Sequence, residues 1–520
     1  MPDILYANAR ITTLWPALPA ADALLVRGER VVAVGSAATC RAAARRGYRE
    51  VDLGGGYVVP GLTDSHIHLA GYAFAEHQLD LRGVCDLAEA QRRLQAFAQR
   101  LPAGAWVFGG RFDANRWQLD RPLHRRDLDP FSAGHPVALE SHDSHSAWVN
   151  TQGLAALGID EHTAQQSDGR LERDADGPTG LLRESAAEPV RALVTEHQAA
   201  GIEPMLADAL RELLAHGVTG VHDIDGRETA AAYRALRERG ELPARVHQLI
   251  YAGDLDAAIE AGEATGDGDR WESTGPVKLF ADGALGSHTA ALSAPYEDAP
   301  EDTGVVMLDR VELAERVLTA AGAGIAVAVH AIGDAANTAV LDALAEVRRR
   351  GVGASLRHRI EHAQHVAWHD VPRFAELGVV ASMQPVHHSS DVALAAALLG
   401  DRPLASYAWS DLAAAGAHVA FGSDAPVETL DPIAGIKAAT ARAGTGEQGR
   451  NAIAPLQALH GYTTQPAYAS YEEHTKGRLA VGYLADFVVL DADLTDPDVA
   501  TSGAAQPQVT VVGGRVRWQR

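Results

Sequence analysis

Cysteine is nearly absent: Cys40 and Cys85 are the two in 520 residues. Two thiols exclude a disulfide framework and a cysteine-built metal site, so any bound metal must be held by His, Asp, Glu or a modified side chain. Basic charge is also scarce. Lys and Arg number 45 against 68 Asp and Glu, a net charge of -23, which argues against nucleic acid or an anionic membrane as partner. No apolar run reaches the length of a transmembrane span. The opening MPDILYANARITTL lacks the basic and apolar regions of a secretory signal, so a soluble cytoplasmic protein is expected.

What is present is globular: 47% hydrophobic and 22% charged residues, close to ordinary usage. The length exceeds one ordinary core, so two or more domains are expected, or one large α/β barrel with additions. The chain is organised around Gly61–Leu69, GLTDSHIHL. A strand repeats its facing every two residues, so His66 and His68 point the same way and Ile67 the other. Two neutral imidazoles side by side suit a borderline metal such as zinc. With 23 histidines in the chain, a surface or core pair explains a lone H-x-H equally well. The decision lies downstream.

Residues 1–58 read as short strands separated by turn signals, and residues 478–520 look alike, so one small β-sandwich assembled from both termini is expected. Between them apolar runs alternate with amphipathic helical stretches, the pattern of βα units and a parallel sheet. The strand candidates are Val58–His68, Val218–Ile224, Arg245–Tyr251, Val277–Asp282, Ile325–His330, His358–His362, Val379–Gln384 and His418–Asp424. Eight such strands close a (β/α)8 TIM barrel, whose active site sits at the C-terminal strand ends. The barrel is placed at 59–477. Its long insertion after the first strand, about 70–204, is too long for an ordinary connection and is expected to cover the mouth. The last polar residues of the strands are His66 and His68, Lys278, His330, His362 and Asp424, which would meet on one rim.

GLTDSHIH, VKLFADGALGS, VHAIGD, RIEHAQ, FGSDAPV and the closing GRLAVGYLADFVVLDADL together resemble the amidohydrolase superfamily. The similar branch is that of TIM-barrel metal-dependent hydrolases which includes N-substituted formamide deformylases. The resemblance implies two divalent metal ions, with Zn2+ first and manganese, iron or cobalt also compatible with the ligands. His66, His68 and Asp424 would hold one metal, and His330 and His362 the other. Lys278, carboxylated on its amine, would bridge them. An apolar strand end beside cations pushes an amine toward its neutral, nucleophilic form. Barrels with one metal and no modified lysine also occur, and a plain ion pair with Asp282 is the simpler reading of Lys278. At strand six His358 shares parity with His362 and competes with it.

The implied reaction is hydrolysis of a non-peptide C–N (amide) bond by a metal-bound hydroxide, with Asp424 as general base and then general acid. The partner is a small amide-type molecule, and a homodimer is a common outcome for such barrels. Candidates for the substrate pocket are His145 and Trp148 in DSHSAWVN, Trp117 as an apolar wall, and Glu184, Asp282 and His288. For each, capping, loop-bracing or packing explains the residue at least as well. His387 and His388 could orient ligands. The alternatives are a one-metal deaminase or a lactone, ester or organophosphate hydrolase on the same barrel. A scaffold without chemistry would lack ligands, and every expected position is filled.

Overall fold

The apolar run from Tyr57 onward is two strands rather than one. Tyr57–Pro60 pairs with Phe487–Leu490 and with Arg10–Thr12 in a terminal sheet. Leu62–Ile67 pairs instead with Val218–Asp223. Gly61 is the break, because a Cβ there would lie 2.2 Å from Thr219 Oγ1. The computed structural model describes residues 2–112, 114–117, 119–141, 146–164, 169–441 and 452–520.

The barrel strands are β1 Leu62–Ile67, β2 Val218–Asp223, β3 Arg245–Tyr251, β4 Glu272–Phe280, β5 Val327–Ala331, β6 Arg359–His362, β7 Val380–Met383 and β8 His418–Phe421. They form one eight-stranded sheet in sequence order, parallel throughout. Hydrogen bonds draw its two edges together: Asp424 N–H donates to His66 O (2.7 Å), His68 N–H to Ala425 O (3.0 Å) and Ser65 Oγ to Phe421 O (2.6 Å). Gly422 permits this approach, since a Cβ there would stand 2.5 Å from His66 N.

Helices cover the sheet because their apolar residues recur at helical spacing. Arg227–Glu238 buries Thr229, Ala232, Tyr233 and Leu236. Asp334–Arg349 buries Val340, Leu341, Leu344 and Val347. Val340, Leu341, Leu344 and Val347 join the outward side chains of the strands in the main apolar cluster, where each fully buried aliphatic contributes ~1.5–3 kcal/mol. Asp309 caps Arg310–Gly322 by accepting from Val311 and Glu312 N–H.

Both chain ends contribute to one six-stranded sheet. It joins Arg10–Thr12, Ala20–Ala21 and Tyr57–Pro60 to Phe487–Leu490, Pro507–Val512 and Arg515–Gln519. Residues of a second, N-terminal sheet (Tyr6, Leu24, Val26) share an apolar cluster with Phe487, Val489 and Val511.

Residues Ala70–Met205 form a compact unit of their own, apart from Met1–Leu69 and Leu206–Arg520. A six-stranded sheet that includes Val107–Phe112, Val137–Ser141 and Ser146–Val149 runs through it, with a core built on Leu94, Trp117 and Trp148. Among the described residues no helix is long and apolar enough to cross a membrane.

Candidate metal centre

Four imidazoles gather at the C-terminal ends of β1, β5 and β6. Ring centroids stand 5.8 Å apart for His66 and His68, 4.7 Å for His66 and His362, and 4.4 Å for His330 and His362. Asp424, just past β8, faces them. Its Oδ1 lies 3.3 Å from His66 Nε2 and 3.6 Å from His68 Nε2. His66, His362 and Asp424 each bring a ligand atom within 4.8 Å of the other two.

Backbone conformation aims two of these groups. Ile360 packs outward into the main core, and strict strand parity would send His362 the same way. His362 instead has φ 73° and Asp424 φ 59°, left-handed conformations that side chains adopt at a cost and that collect at functional sites. His358 is not on this rim: its Nδ1 accepts from Val327 N–H at 3.2 Å, ahead of the first residue of β6.

Each imidazole has a partner on its second nitrogen. His66 Nδ1 meets Glu361 Oε2 at 2.5 Å, His68 Nδ1 meets Asp225 Oδ1 at 3.2 Å, and His362 Nδ1 meets Gln384 Oε1 at 2.8 Å. His330 uses Nε2, 3.0 Å from Gly283 O. A neutral imidazole that donates from one nitrogen presents a lone pair on the other. Burial holds His362 well below the ordinary imidazole range and His330 down to about 3, whereas burial of His68 is outweighed by the Asp225 and Asp424 carboxylates, which raise it. Asp424 stays charged. Burial opposes its ionisation, but the His387 and His66 imidazoles beside it hold its carboxyl well below the usual range. His387 Nε2 is 3.2 Å from Asp424 Oδ2.

Lys278, on β4, is buried, its Nζ 5.0 Å from the Phe280 ring centroid. Burial lowers its amine to about 8, partly offset by Glu361 and Asp424.

A polar floor lies beneath the rim, where such barrels are usually filled by branched aliphatics. Arg359 is fully buried. Its guanidinium reaches Glu361 Oε1 (2.8 Å), Ser65 O (2.6 Å), Ser382 Oγ (2.8 Å) and His222 Nδ1 (3.0 Å). Glu361 thus stands between Arg359 and His66. Sequence reading gave Glu361, Arg359, Asp225 and Gln384 no role. The available signal was a Glu or Asp beside a histidine at a strand end, as in RIEH.

The described substrate-pocket candidates have partners of their own. Asp282 is fully buried rather than lining a mouth. It accepts from the N–H groups of Ala291 (2.9 Å), Ile332 (3.0 Å) and Gly333 (2.8 Å), bracing the loops after β4 and β5, and burial lifts its carboxyl to about 7. His288 pairs with Asp298 at 3.0 Å in a surface loop. Trp117 and Trp148 are buried in the core of the inserted unit, their indole N–H groups donating to Val84 O (2.8 Å) and His124 O (3.2 Å). Both are packing residues there. Glu184 ends the strand Gly177–Glu184 of that unit and is exposed. His145 lies outside the described residues.

The amidohydrolase family model matches residues 49–517. The chain belongs to the amidohydrolase family. It is 32% identical over 486 residues to an amidohydrolase-related protein, YtcJ, of Bacillus subtilis strain 168, covering 91% of this chain and 90% of the relative. It is 29% identical over 542 residues to the N-substituted formamide deformylase of Arthrobacter pascens, covering 100% and 99%. Among solved structures, an uncharacterized metal-dependent hydrolase from Pyrococcus furiosus superposes with a TM-score of 0.78 at 30% identity, over 95% of this amidohydrolase and 100% of that chain.

Proposed function

We propose that this amidohydrolase hydrolyses a non-peptide C–N bond in a small amide-type molecule, an N-substituted formamide or N-acyl compound, using two divalent metal ions, Zn2+ first. The observation that carries the reading is His66 Nε2. It is fully buried, makes no hydrogen bond, and faces the Asp424 carboxylate at 3.3 Å. An orphaned buried nitrogen is costly, and a cation between it and the carboxylate would satisfy both. His66, His68 and Asp424 would hold one metal, and His330 and His362 the other. Lys278, carboxylated on Nζ, would bridge them.

When bound, the metals supply acidified water and a Lewis acid for the scissile carbonyl. The rest falls to side chains. Asp424 accepts the proton of the attacking water and returns it to the leaving nitrogen as the C–N bond breaks. His387, on Asp424 Oδ2, keeps that carboxylate oriented through both transfers.

Metal analysis with a substrate panel tests this. About two metal equivalents per chain are expected, with hydrolysis of an N-substituted formamide or N-acyl amine that a chelator abolishes and Zn2+ restores. One equivalent with turnover of amino-heterocycles, lactones or phosphotriesters alone would replace the reading by the one-metal or ester-cleaving alternative.

Glu361 gives an independent expectation. Glu361→Gln removes the carboxylate that fixes the His66 tautomer, so metal affinity is expected to fall about 10–100-fold, measured by competition with a chromophoric chelator. The change also leaves Arg359 with no buried counter-charge. A destabilisation on the order of 3 kcal/mol in urea titrations should accompany it. Unchanged affinity would remove Glu361 from the site.

A further inference from the structure

A cavity of about 310 Å3 lies between β8 and the helices Trp409–Ala414, Pro455–Gly461 and Thr464–Ala469, apart from the rim. That is the lower end of the size range of small-molecule pockets. Trp409, Val419, Phe421 and Ile453 supply an apolar wall. The polar lining is nearly all spoken for. Gln457 Oε1 accepts from Ala454 N–H (3.1 Å), His460 Nδ1 meets Thr464 Oγ1 (2.8 Å), and Gln465 Oε1 meets His418 Nδ1 (2.8 Å).

Arg478 is the exception. Its Nε is buried without a hydrogen-bond partner, and among the described residues no Asp or Glu lines the cavity. Its charge is felt inside, since burial and then Arg478 depress the His460 imidazole. Arg478 itself is half-buried, but a buried guanidinium N–H without an acceptor is costly, and a planar fork of donors matches a carboxylate. One cation among neutral amides suits a monoanion better than a phosphate dianion. The aromatic wall calls for an apolar body.

We propose that this cavity binds a small monocarboxylate with an aromatic or branched apolar body, its carboxylate on Arg478 and its body against Trp409, Val419 and Phe421. The assignment is independent of the metal centre and of the reaction.

Calorimetric titration of the purified protein with benzoate and phenylacetate tests it, with benzamide as the neutral control. Saturable one-to-one binding is expected, surviving chelation of metal. Benzamide, Arg478→Met and the cavity-filling Ala417→Leu should each weaken it by at least about tenfold. Arg478→Met should leave the ligand-free Tm equal or higher, because it removes a buried N–H that has no acceptor. Three results would overturn the proposal: no saturation by about 10 mM, equal affinity for benzamide, or binding that persists in both variants. Binding lost with the metal and kept in Arg478→Met would place the carboxylate on the rim instead. Ala417→Leu keeps Arg478 in place, so the test stands if Arg478→Met fails to fold.

Discussion

Asp424→Asn is expected to lower kcat/KM by about 10^3-fold or more on whichever panel compound is turned over, with little change in fold. Asn is nearly isosteric, and its carbonyl oxygen can still accept from His387. What it loses is charge and basicity. The position is built for a carboxylate, held ionised against burial by the imidazoles around it. An amide cannot take a proton from water or return one to a leaving nitrogen. It also removes the anionic oxygen 3.3 Å from His66 Nε2, so metal content should fall with activity. The checks are steady-state kinetics, metal per chain and Tm, measured on one preparation. Activity within about tenfold of the parent, at a full complement of metal, would mean another group moves the proton.

His387→Gln separates orientation from proton transfer at the same place. Gln retains a donor for Asp424 but not the ring, so a smaller loss than that of Asp424→Asn is the consistent outcome.

The barrel was legible because its strands are unbroken apolar runs, such as IAVAVH before Ala331, joined by helices with one buried stripe. The rim was legible because each run closes on a polar residue that an outer, apolar position would not tolerate. Other features depend on distances between remote residues and left no local trace. Gly61 splits a continuous run only because Thr219 presses against it. His362 turns inward through its own φ, which overrides the strand alternation. Arg359 and Glu361 flank Ile360 in a pattern that would equally suit a strand with one face in water. Their burial follows from barrel closure, and so does the support they give His66. Trp117 and Trp148 misled for the converse reason. Aromatics within polar clusters suggest a pocket wall, yet each indole N–H finds a nearby carbonyl and each ring lies in a core.

Lys278→Ala is the second change with a large expected effect. At pH 7 an amine with a pKa of about 8 is roughly one-tenth neutral, against about one part in three thousand at the ordinary value. Burial is the main cause of that shift, and the neutral amine is the form that adds carbon dioxide, with loss of a proton, to give a carbamate. A carbamate presents two oxygens where Ala presents none. Lys278→Ala is therefore expected to lose one of two metal equivalents and about 10^3-fold or more in kcat/KM. Growth with 13C-bicarbonate should give the parent, and not the variant, a slowly exchanging carbamate carbon signal. Formate or acetate, entering the space left by the side chain, should restore part of the activity by replacing the missing oxygens. Glu361 and Asp424 raise the amine pKa in the metal-free protein, so carboxylation and metal loading should assist each other: bound cations offset those carboxylates and favour the neutral amine. Full metal content and activity in Lys278→Ala would remove the bridging role, and Lys278 would then be only a buried amine beside Phe280.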